Sequence, residues 1–307
     1  MTQAKINPTA AIGEESQVVV AIATAGRCGI ARETVRHLAS LRDHPDRVLL
    51  SIGSPDDFDT ADLGNCPFPL EILIAEKGLC SQRNAILEAV PKTAVLLFID
   101  DDFLLAEGYI SATRTLFDRA PEVVMATGAV LIDGILGPGY SHVAGQQFLD
   151  TAQPVQSGAM PTEVYNGYGC NMAVRMATVA AHGLRFDLTL PYYGWLEDVD
   201  FSRQLAPYGQ IVKDPNMQGV HLGTKVGRSR GVPLGYSQIA NPVYLIRKGT
   251  MNRRRAYRLM IRNLMANFGK ALIPDPLVDR RGRAKGNLLA LRDLVTGHLS
   301  PQRILDL

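Results

Sequence analysis

Residues 94–99 are all apolar and are followed directly by three aspartates, Asp100, Asp101 and Asp102. A continuous apolar run of this length is typical of a strand that is buried on both faces, as in a parallel sheet. Ligands of such sheets bind at the carboxyl ends of the strands, where these aspartates would lie. Three adjacent carboxylates repel one another unless a cation joins them. The segment therefore predicts an α/β sheet with a divalent-metal site at one strand end.

The first two-thirds of the chain alternates between strand-like and helix-like segments. Strands are predicted at residues 17–24, 47–52, 70–75, 94–99 and 123–132, with short strands at 211–212 and 220–222. The apolar spacing predicts helices at residues 31–41, 81–90, 106–119, 171–181 and 197–205. Residues 133–167 lack periodicity and are predicted to be irregular. This alternation predicts a doubly wound α/β fold, a sheet with flanking helices.

Charge divides the chain into two parts. Residues 1–224 contain 15 Lys/Arg and 26 Asp/Glu, whereas residues 225–307 contain 17 Lys/Arg and 4 Asp/Glu. A glycine-rich basic segment at residues 223–235, which we expect to be mobile, follows the boundary. We predict a flexible lead-in over residues 1–16, an acidic domain over residues 17–223, and a basic, mostly helical extension over residues 224–307. The two parts are expected to have different partners.

Targeting and redox signals favour a cytoplasmic chain. No apolar stretch approaches the roughly 20 residues that span a bilayer. The polar lead-in lacks the apolar centre of a secretion signal. No C-x-x-C pair occurs, and the cysteines are best explained as small buried apolar residues of a reduced protein. They are Cys28, Cys66, Cys80 and Cys170.

Two further segments carry residues suited to a sugar or a metal. Trp195, the only tryptophan, precedes the acidic pair Glu197 and Asp198, and a planar apolar face beside carboxylates suits a sugar ring. The acids also open a predicted helix, where the helix dipole alone favours negative charge. His221 ends a short apolar stretch and is a good ligand for Mn²⁺-like ions, although a packed histidine is the commoner case.

Two arginines near predicted loops are candidates for binding phosphate. Arg83 opens the predicted helix at residues 81–90, where a helix start beside a guanidinium favours phosphate or a nucleotide. The alternative is an ordinary surface helix that is capped by Ser81. Arg27, in the small-residue loop after the first strand, is the second candidate.

Taken in order, these segments resemble the family 2 glycosyltransferases, which have the GT-A fold, over residues 17–223. The matching segments are VVAIAT at residues 19–24, the G…RN segment at 76–84, FIDDD at 98–102, YGCNMAVR at 168–175 and the acidic pair at 197–198, followed by His221. The resemblance implies a nucleotide-binding mixed sheet. It also implies inverting transfer of a sugar from a UDP- or GDP-linked donor to a saccharide or lipid-linked acceptor, in surface polysaccharide or glycolipid synthesis.

The resemblance also implies roles for the matching residues. Asp198 would be the general base and Glu197 would orient the acceptor. Trp195 and Asn171 would lie on the acceptor side, and Asp102 and His221 would hold Mn²⁺ or Mg²⁺ against the diphosphate. The donor-binding residues would be Thr24, Arg27, Asp57, Arg83, Asp100 and Asp101.

One departure from the family pattern concerns the nucleotide base. Relatives carry an aspartate just after the second strand that contacts the base. Here the acids come several residues later, at Asp56 and Asp57, and either could substitute if the loop curls back. The identity of the nucleotide therefore stays open.

The extension contains an amphipathic helical stretch, within predicted helices at residues 241–272 and 285–296. Its apolar side carries Tyr257, Met260, Ile261, Leu264, Phe268 and Leu272, and another side carries Arg254, Arg258 and Arg262. Such a helix docks on the sheet domain, lies at an anionic membrane surface, or does both. Nucleic acid is disfavoured because stacking aromatics are sparse among the arginines. The final amphipathic segment, residues 288–307, either packs back on the protein or mediates a homodimer.

Two other functions fit part of the pattern. A nucleotidyltransferase has a related sheet and metal site, but residues 24–29 are too short and too poor in arginine for its triphosphate-binding loop. A non-catalytic carbohydrate-binding protein on the same scaffold would not need Asp102, Asp198 and His221 together. Slow hydrolysis of a nucleotide sugar would distinguish an enzyme from such a binding protein.

Overall fold

The structure, a computed structural model, describes residues 15–60, 63–153, 158–225, 231–272 and 277–307. The strands of these regions are β1 Val18–Thr24, β2 Arg47–Ile52, β3 Leu70–Ile74, β4 Val95–Asp100, β5 Phe103–Leu105, β6 Val123–Asp133, β7 Thr162–Glu163, β8 Asn171–Arg175 and β9 Gln210–His221. Their α-helices are α1 Cys28–Ser40, α2 Leu79–Ala89, α3 Tyr109–Arg119, α4 His142–Asp150, α5 Met176–Ala181, α6 Glu197–Leu205, α7 Gly231–Lys248, α8 Arg253–Gly269 and α9 Arg280–Val295. The lead-in through residue 14 and residues 226–230 of the glycine-rich segment lie outside the described residues.

The strands form one mixed sheet in the order β3-β2-β1-β4-β8-β6-β9-β5, and β7 pairs with β9. The first four strands of this order are parallel, β8 runs antiparallel to both of its neighbours, and β6 and β9 are parallel to each other. Register pairs Ala23 with Asp100, so the loops after β1 and β4 meet at one edge of the sheet. The predicted α/β class, a mixed sheet with flanking helices, is confirmed.

Helices cover both faces of the sheet because its central strands are apolar on both faces. Val20 of β1 lies in a cluster with Leu38 of α1 and Ile110 of α3. Val19, the preceding residue, lies in the opposite cluster with Ile86 of α2, as the strand period of two requires. Burial on both faces explains why these strands are continuous apolar runs in the sequence.

The predicted helix over residues 171–181 is wrong in its first half. Asn171–Arg175 form strand β8 between β4 and β6, and only Met176–Ala181 are helical. The three central side chains of β8 are fully buried. A short apolar run of this kind has no period that separates a strand from a helix, so pairing in the sheet decides its structure.

Two other elements also differ from prediction. The short strands at residues 211–212 and 220–222 are parts of one long strand, β9. Its register with β6 shifts near Pro215, as expected because proline cannot donate a hydrogen bond to the sheet. The region at residues 133–167, predicted to be irregular, contains helix α4, which Ser141 caps by accepting from the N–H of Ala144.

The basic extension forms a three-helix unit that packs against the sheet domain. A Cβ atom on Gly286 of α9 would lie 2.1 Å from a backbone oxygen of α7, so these two helices are in close contact. Leu245 of α7 is buried in a core cluster of the sheet domain. The single helix predicted near residues 241–272 is two helices, because the chain turns at Gly249 and α8 begins after its cap residue Asn252.

Helix α8 buries one side and exposes another. Met260 packs in the cluster between α7 and α9, whereas Ile261 and Met265 are 55% and 70% exposed. Packing against α7 and α9 therefore buries only part of the apolar surface of α8. Ile304, near the end of the chain, packs back into the same cluster. Among the helices that the structure describes, none has the length and hydropathy that crossing a bilayer requires.

Candidate active site

Three side chains suited to binding a metal meet at the carboxyl end of β4. Asp100, Asp102 and His221 each offer one ligand atom, and these atoms all lie within 4.8 Å of one another. His221 Nε2 lies 3.5 Å from Asp102 Oδ1 and 3.9 Å from Asp100 Oδ2. Topology brings them together, because the chain turns back after the aspartates and pairs Phe103 of β5 with His221 at the end of β9.

A second layer of hydrogen bonds fixes two of these side chains. The Nδ1–H of His221 donates to Asp133 Oδ1 at 2.9 Å, and Asp133 Oδ2 accepts from the Tyr168 hydroxyl at 2.8 Å. Asp102 Oδ2 accepts from the backbone N–H and the hydroxyl of Thr224, at 2.8 and 2.9 Å. Sequence analysis missed these supporting residues, since their contacts depend on how distant strand ends meet.

The charges of this cluster fit a divalent cation. Burial lowers the pKa of His221, but hydrogen bonds to Asp102 and Asp133 outweigh burial and raise that pKa to about 10. Burial raises the pKa of Asp102, but the His221 hydrogen bond and the charges of His221 and Arg27 outweigh it and hold that pKa below its usual range. Two carboxylates and an imidazole whose other nitrogen contacts a carboxylate are a donor set that would fit Mn²⁺, with His221 giving up its Nε2 proton to act as a ligand.

Asp101 points away from this cluster and connects it to the first loop. Its buried carboxylate accepts from the Thr24 hydroxyl at 2.5 Å and from Arg27 Nε at 2.9 Å. Arg27 Nη1 donates to Thr224 at 3.1 Å, and its Nη2 lies 3.7 Å from Asp102 Oδ1. Thr24 and Arg27, both predicted to bind the donor, therefore lie beside Asp101 and Asp102.

The loop after β2 curls back to the same edge of the sheet. Asp57 is buried and accepts from the backbone N–H of Gly26 at 2.6 Å and of Gly53 at 3.1 Å. A 3₁₀ turn capped by Ser54 produces this return, and it leaves Asp56 exposed. Of the two acids that follow β2, Asp57 is therefore the one that lies at this edge of the sheet.

Arg83 is the buried cation at the centre of the site. Its side chain is 2% exposed, and its guanidinium carbon lies 5.3 and 5.4 Å from the ring centroids of Phe98 and Phe186. The guanidinium donates to Glu197 Oε1 at 2.5 Å and to Asp100 Oδ1 at 3.4 Å. One cation therefore links the carboxyl end of β4 to the acidic start of α6.

The two acids at the start of α6 differ in accessibility. Glu197 is 6% exposed and is held by Arg83, whereas Asp198 is only partly buried. Asp198 Oδ2 accepts from the Gly169 N–H at 3.2 Å, and its Oδ1 accepts from the Val199 N–H at 2.8 Å. Burial raises the pKa of Asp198, which these hydrogen bonds only partly oppose. Asp198 is therefore the acid of the pair that a ligand reaches more easily.

The two residues predicted to lie on the acceptor side have different environments. Asn171 is fully buried, and its carboxamide oxygen accepts from the Thr127 hydroxyl at 2.5 Å and the Gly128 N–H at 2.8 Å. These bonds join β8 to β6, and the acceptor role of Asn171 stays a prediction. Trp195 is partly exposed, and its carbonyl accepts from Asn241 of α7 at 2.7 Å.

The loop before α6 presents a tyrosine that sequence analysis missed. Tyr193 is 52% exposed, and partial burial together with the carboxylates of Asp100 and Glu197 raises the pKa of its hydroxyl. On either side of it, Tyr192 and Leu196 have φ values of 56° and 75°, which non-glycine residues rarely adopt. Such strain concentrates at functional sites, and here it accompanies an accessible aromatic ring beside the acidic pair.

No protein-family model and no curated protein sequence matches this chain, but solved structures do. S. aureus TarS 1-349 superposes with a TM-score of 0.56 at 12% identity, over 94% of this chain and 82% of that one. The mannosyltransferase PcManGT from Pyrobaculum calidifontis, solved with GDP-Man and Mn²⁺, gives 0.52 at 13% identity, over 95% and 86%. The fold is GT-A.

GalNAc-T7, solved with UDP, GalNAc and Mn²⁺, has the same GT-A likeness, with a TM-score of 0.52 at 13% identity. The superposition covers 92% of this chain and 59% of that one. At these identities the likeness establishes the shared fold. The chemistry of this chain has to be argued from its own side chains.

Proposed function

We propose that this chain is a metal-dependent glycosyltransferase that moves a sugar from a nucleoside-diphosphate donor to an acceptor hydroxyl with inversion at the anomeric carbon. The observation that carries this proposal is the arrangement at one edge of the GT-A sheet. There the guanidinium of Arg83 joins the Asp100–Asp102–His221 cluster to the acidic start of α6. Transfer to a hydroxyl needs both parts, a cation for the departing diphosphate and a base for the nucleophile.

The donor side of the proposed site consists of the loops after β1, β2 and β4. Asp102 and His221 would hold Mn²⁺ or Mg²⁺, which when bound acts as a Lewis acid on the diphosphate. The remaining donor-side residues are Thr24, Arg27, Asp57, Arg83, Asp100 and Asp101. A UDP- or GDP-linked donor is supported by the fold neighbours solved with UDP-GlcNAc, UDP and GDP-Man.

On the acceptor side, Asp198 takes the proton of the attacking hydroxyl. Its accessibility supports this role, because a base must lie within reach of the hydroxyl that it deprotonates. Glu197 is held by Arg83 and orients the acceptor, and the rings of Trp195 and Tyr193 offer flat apolar faces to a sugar. The bond from the anomeric carbon to the diphosphate breaks as the bond to the acceptor oxygen forms, so no sugar–enzyme bond is needed.

The proposed setting is surface polysaccharide or glycolipid synthesis at the inner face of the cell membrane, with a saccharide or lipid-linked acceptor. In this proposal, residues 17–223 are the catalytic domain of a cytoplasmic, peripheral enzyme and residues 224–307 are its extension. The support is an exposed apolar stripe on α8 in which each side chain is at least 42% exposed. Basic amphipathic helices of this kind bind anionic headgroups. The stripe consists of Tyr257, Ile261, Met265 and Phe268.

Thermal-shift measurements with UDP and GDP, each with and without Mn²⁺, test the donor site. We expect one nucleotide with Mn²⁺ to stabilise the protein selectively, by about 2.7 kcal/mol at a concentration of 100 times Kd. Nucleotide-sugar hydrolysis without acceptor then separates an enzyme from a carbohydrate-binding protein. Stabilisation by a nucleoside triphosphate with release of pyrophosphate would instead identify a nucleotidyltransferase, and no response to any nucleotide would overturn the proposal.

A further inference from the structure

A groove of about 410 Å³ lies between α6 and α8. Leu196 and Val199, the residues directly before and after the acidic pair of α6, line one part of it. Three arginines of α8, Arg255, Arg258 and Arg262, line another part. The groove therefore lies between the helix that carries the proposed catalytic base and a basic helix.

The groove arginines carry an uncompensated positive charge. Within the described part of the chain, no carboxylate lies at ion-pair distance from Arg255, Arg258 or Arg262. Arg255 instead lies over the ring of Tyr165, with its guanidinium carbon 4.3 Å from the ring centroid. Spacings of three and four residues place like charges next to each other on one helix face, which destabilises a helix. An anion in the groove would relieve this repulsion.

The groove also differs from the exposed apolar stripe of α8. Arg258 and Arg262 follow Arg255 by three and seven residues and share one face of the helix, whereas Ile261 and Met265 lie on the neighbouring face. The groove contains apolar side chains as well, among them Met251 and Leu259. Guanidinium groups beside apolar surface suit a ligand that combines a phosphate with a sugar or a lipid.

We propose that this groove binds a phosphate group of the acceptor, so that the enzyme selects a phosphate-bearing glycan or lipid-linked saccharide. The inference rests on the proposed glycosyl transfer and adds a substrate class to it. Without a metal ion, the carboxylates at the end of β4 disfavour a further anion, whereas the arginines of the groove attract it. An acceptor held there by its phosphate would have its sugar near the start of α6, because Leu196 and Val199 line the groove.

Titration of the metal-free full chain with inorganic tripolyphosphate in EDTA tests the groove apart from any turnover. We expect Arg258→Gln/Arg262→Gln to weaken binding at least tenfold in isothermal titration calorimetry. The control, Arg253→Gln/Arg254→Gln, removes the same charge from the same helix outside the groove and should change affinity less than twofold. Equal losses in both variants would show a response to net charge alone, and unchanged affinity in both would show binding elsewhere. Either result overturns the proposal.

Co-sedimentation with phosphatidylglycerol vesicles separates an acceptor phosphate from a bilayer. If Arg258→Gln/Arg262→Gln loses vesicle binding but keeps its affinity for tripolyphosphate, the arginines serve the membrane and the groove proposal is wrong. Loss of tripolyphosphate binding with vesicle binding retained supports an acceptor phosphate in the groove, whereas loss of both assigns the arginines to lipid headgroups and overturns the acceptor proposal. Nucleotide-sugar hydrolysis by the wild-type chain is measured separately. A chain that binds tripolyphosphate in the groove but hydrolyses no donor would reject glycosyl transfer and keep the anion site.

Discussion

At the scale of single residues, Asp198 and Glu197 are neighbours with different surroundings. We expect Asp198→Asn to lower kcat by about 10²–10⁴-fold, the usual contribution of a positioned base. Donor affinity should stay unchanged, because the proposed donor contacts lie on other loops. Initial rates and donor titration by calorimetry measure the two effects. Glu163→Gln, a change at an exposed acid of β7, serves as the control. Near-normal turnover of Asp198→Asn would show that Asp198 is not the base.

Substitutions in and beside the Asp100–Asp102–His221 group should lower Mn²⁺ affinity to different degrees. Asp102→Ala should abolish Mn²⁺-dependent donor binding, because it removes a proposed ligand. Asp133→Asn should weaken Mn²⁺ affinity about 10–100-fold, since His221 loses the carboxylate that orients its ring. Mn²⁺ titrations with and without UDP or GDP measure both effects, with the exposed Asp56→Asn as control. Unchanged Mn²⁺ affinity in Asp102→Ala would contradict the metal site.

The sequence identified candidate metal ligands but not the residues that support them. Asp102 and His221 were recognisable because each follows an apolar run that ends at a strand terminus. Asp133 and Thr224 carry no such signal, since their contacts exist only after β6 and β9 have paired in parallel. For Asn171, a motif suggested an acceptor contact, and the sequence did not predict that pairing of β8 buries the side chain.

At the scale of elements, the packing of α7 against α6 depends on a buried charge. Lys248 Nζ donates to Asp200 Oδ2 at 2.7 Å and to Asp187 Oδ2 at 2.6 Å, and Asp200 is fully buried. Lys248→Met should lower the free energy of unfolding by about 3 kcal/mol, because it leaves a buried carboxylate without its cation. Urea unfolding measures the change. Lys92→Met, at an exposed lysine, should stay within about 0.5 kcal/mol.

The same cluster predicts how stability depends on pH. Burial raises the pKa of Asp187, but hydrogen bonds from Lys248 and Tyr244 outweigh it and lower that pKa to about 2. An unfolded aspartate titrates near pH ~3.9, so this stabilisation of about 2 kcal/mol is complete above that pH and is lost as the pH falls toward 2. Burial lowers the pKa of Lys248, but Asp187 and Asp200 outweigh it and raise that pKa, so the contribution of Lys248 declines only at alkaline pH.

Lys248→Met and wild type should therefore differ most between about pH 5 and 9 and converge as the pH falls from about 4 to 2. Urea unfolding of both proteins across this range measures the difference. A difference that stays constant down to about pH 2 would contradict the assigned role of the Asp187–Lys248 contact.

Element type was predictable wherever burial imposes a clear pattern. Strand β2 begins and ends where the sequence predicts, and α6 does too. Strand β8 was not predictable, because its apolar side chains suit a helix equally well until β4 and β6 enclose it. The break between α7 and α8 was missed because apolar and basic residues continue through Gly249 and Asn252 with little change in pattern.

At the scale of the whole molecule, the exposed stripe of α8 predicts binding to anionic membranes. Ile261→Asp/Met265→Asp should reduce co-sedimentation with phosphatidylglycerol vesicles at least tenfold, because charge then replaces two apolar contacts. Added salt should weaken binding by screening the arginines. The control is Ile74→Asp, which changes a residue of β3 that is 66% exposed. A wild-type chain that does not sediment with these vesicles at low salt would contradict a peripheral location.

The hydrogen bonds from Thr224 to Asp102 have a consequence for protein engineering. The predicted domain boundary falls after Gly223, yet a sheet domain cut there would lose both groups that donate to Asp102 Oδ2. It would also lose Lys225, whose ammonium donates to the carbonyls of Gly134 and Ile135. A chimaera that grafts a foreign C-terminal module onto this sheet should therefore be joined beyond Lys225. A junction before Thr224 would remove the hydrogen bonds that hold the carboxylate of Asp102.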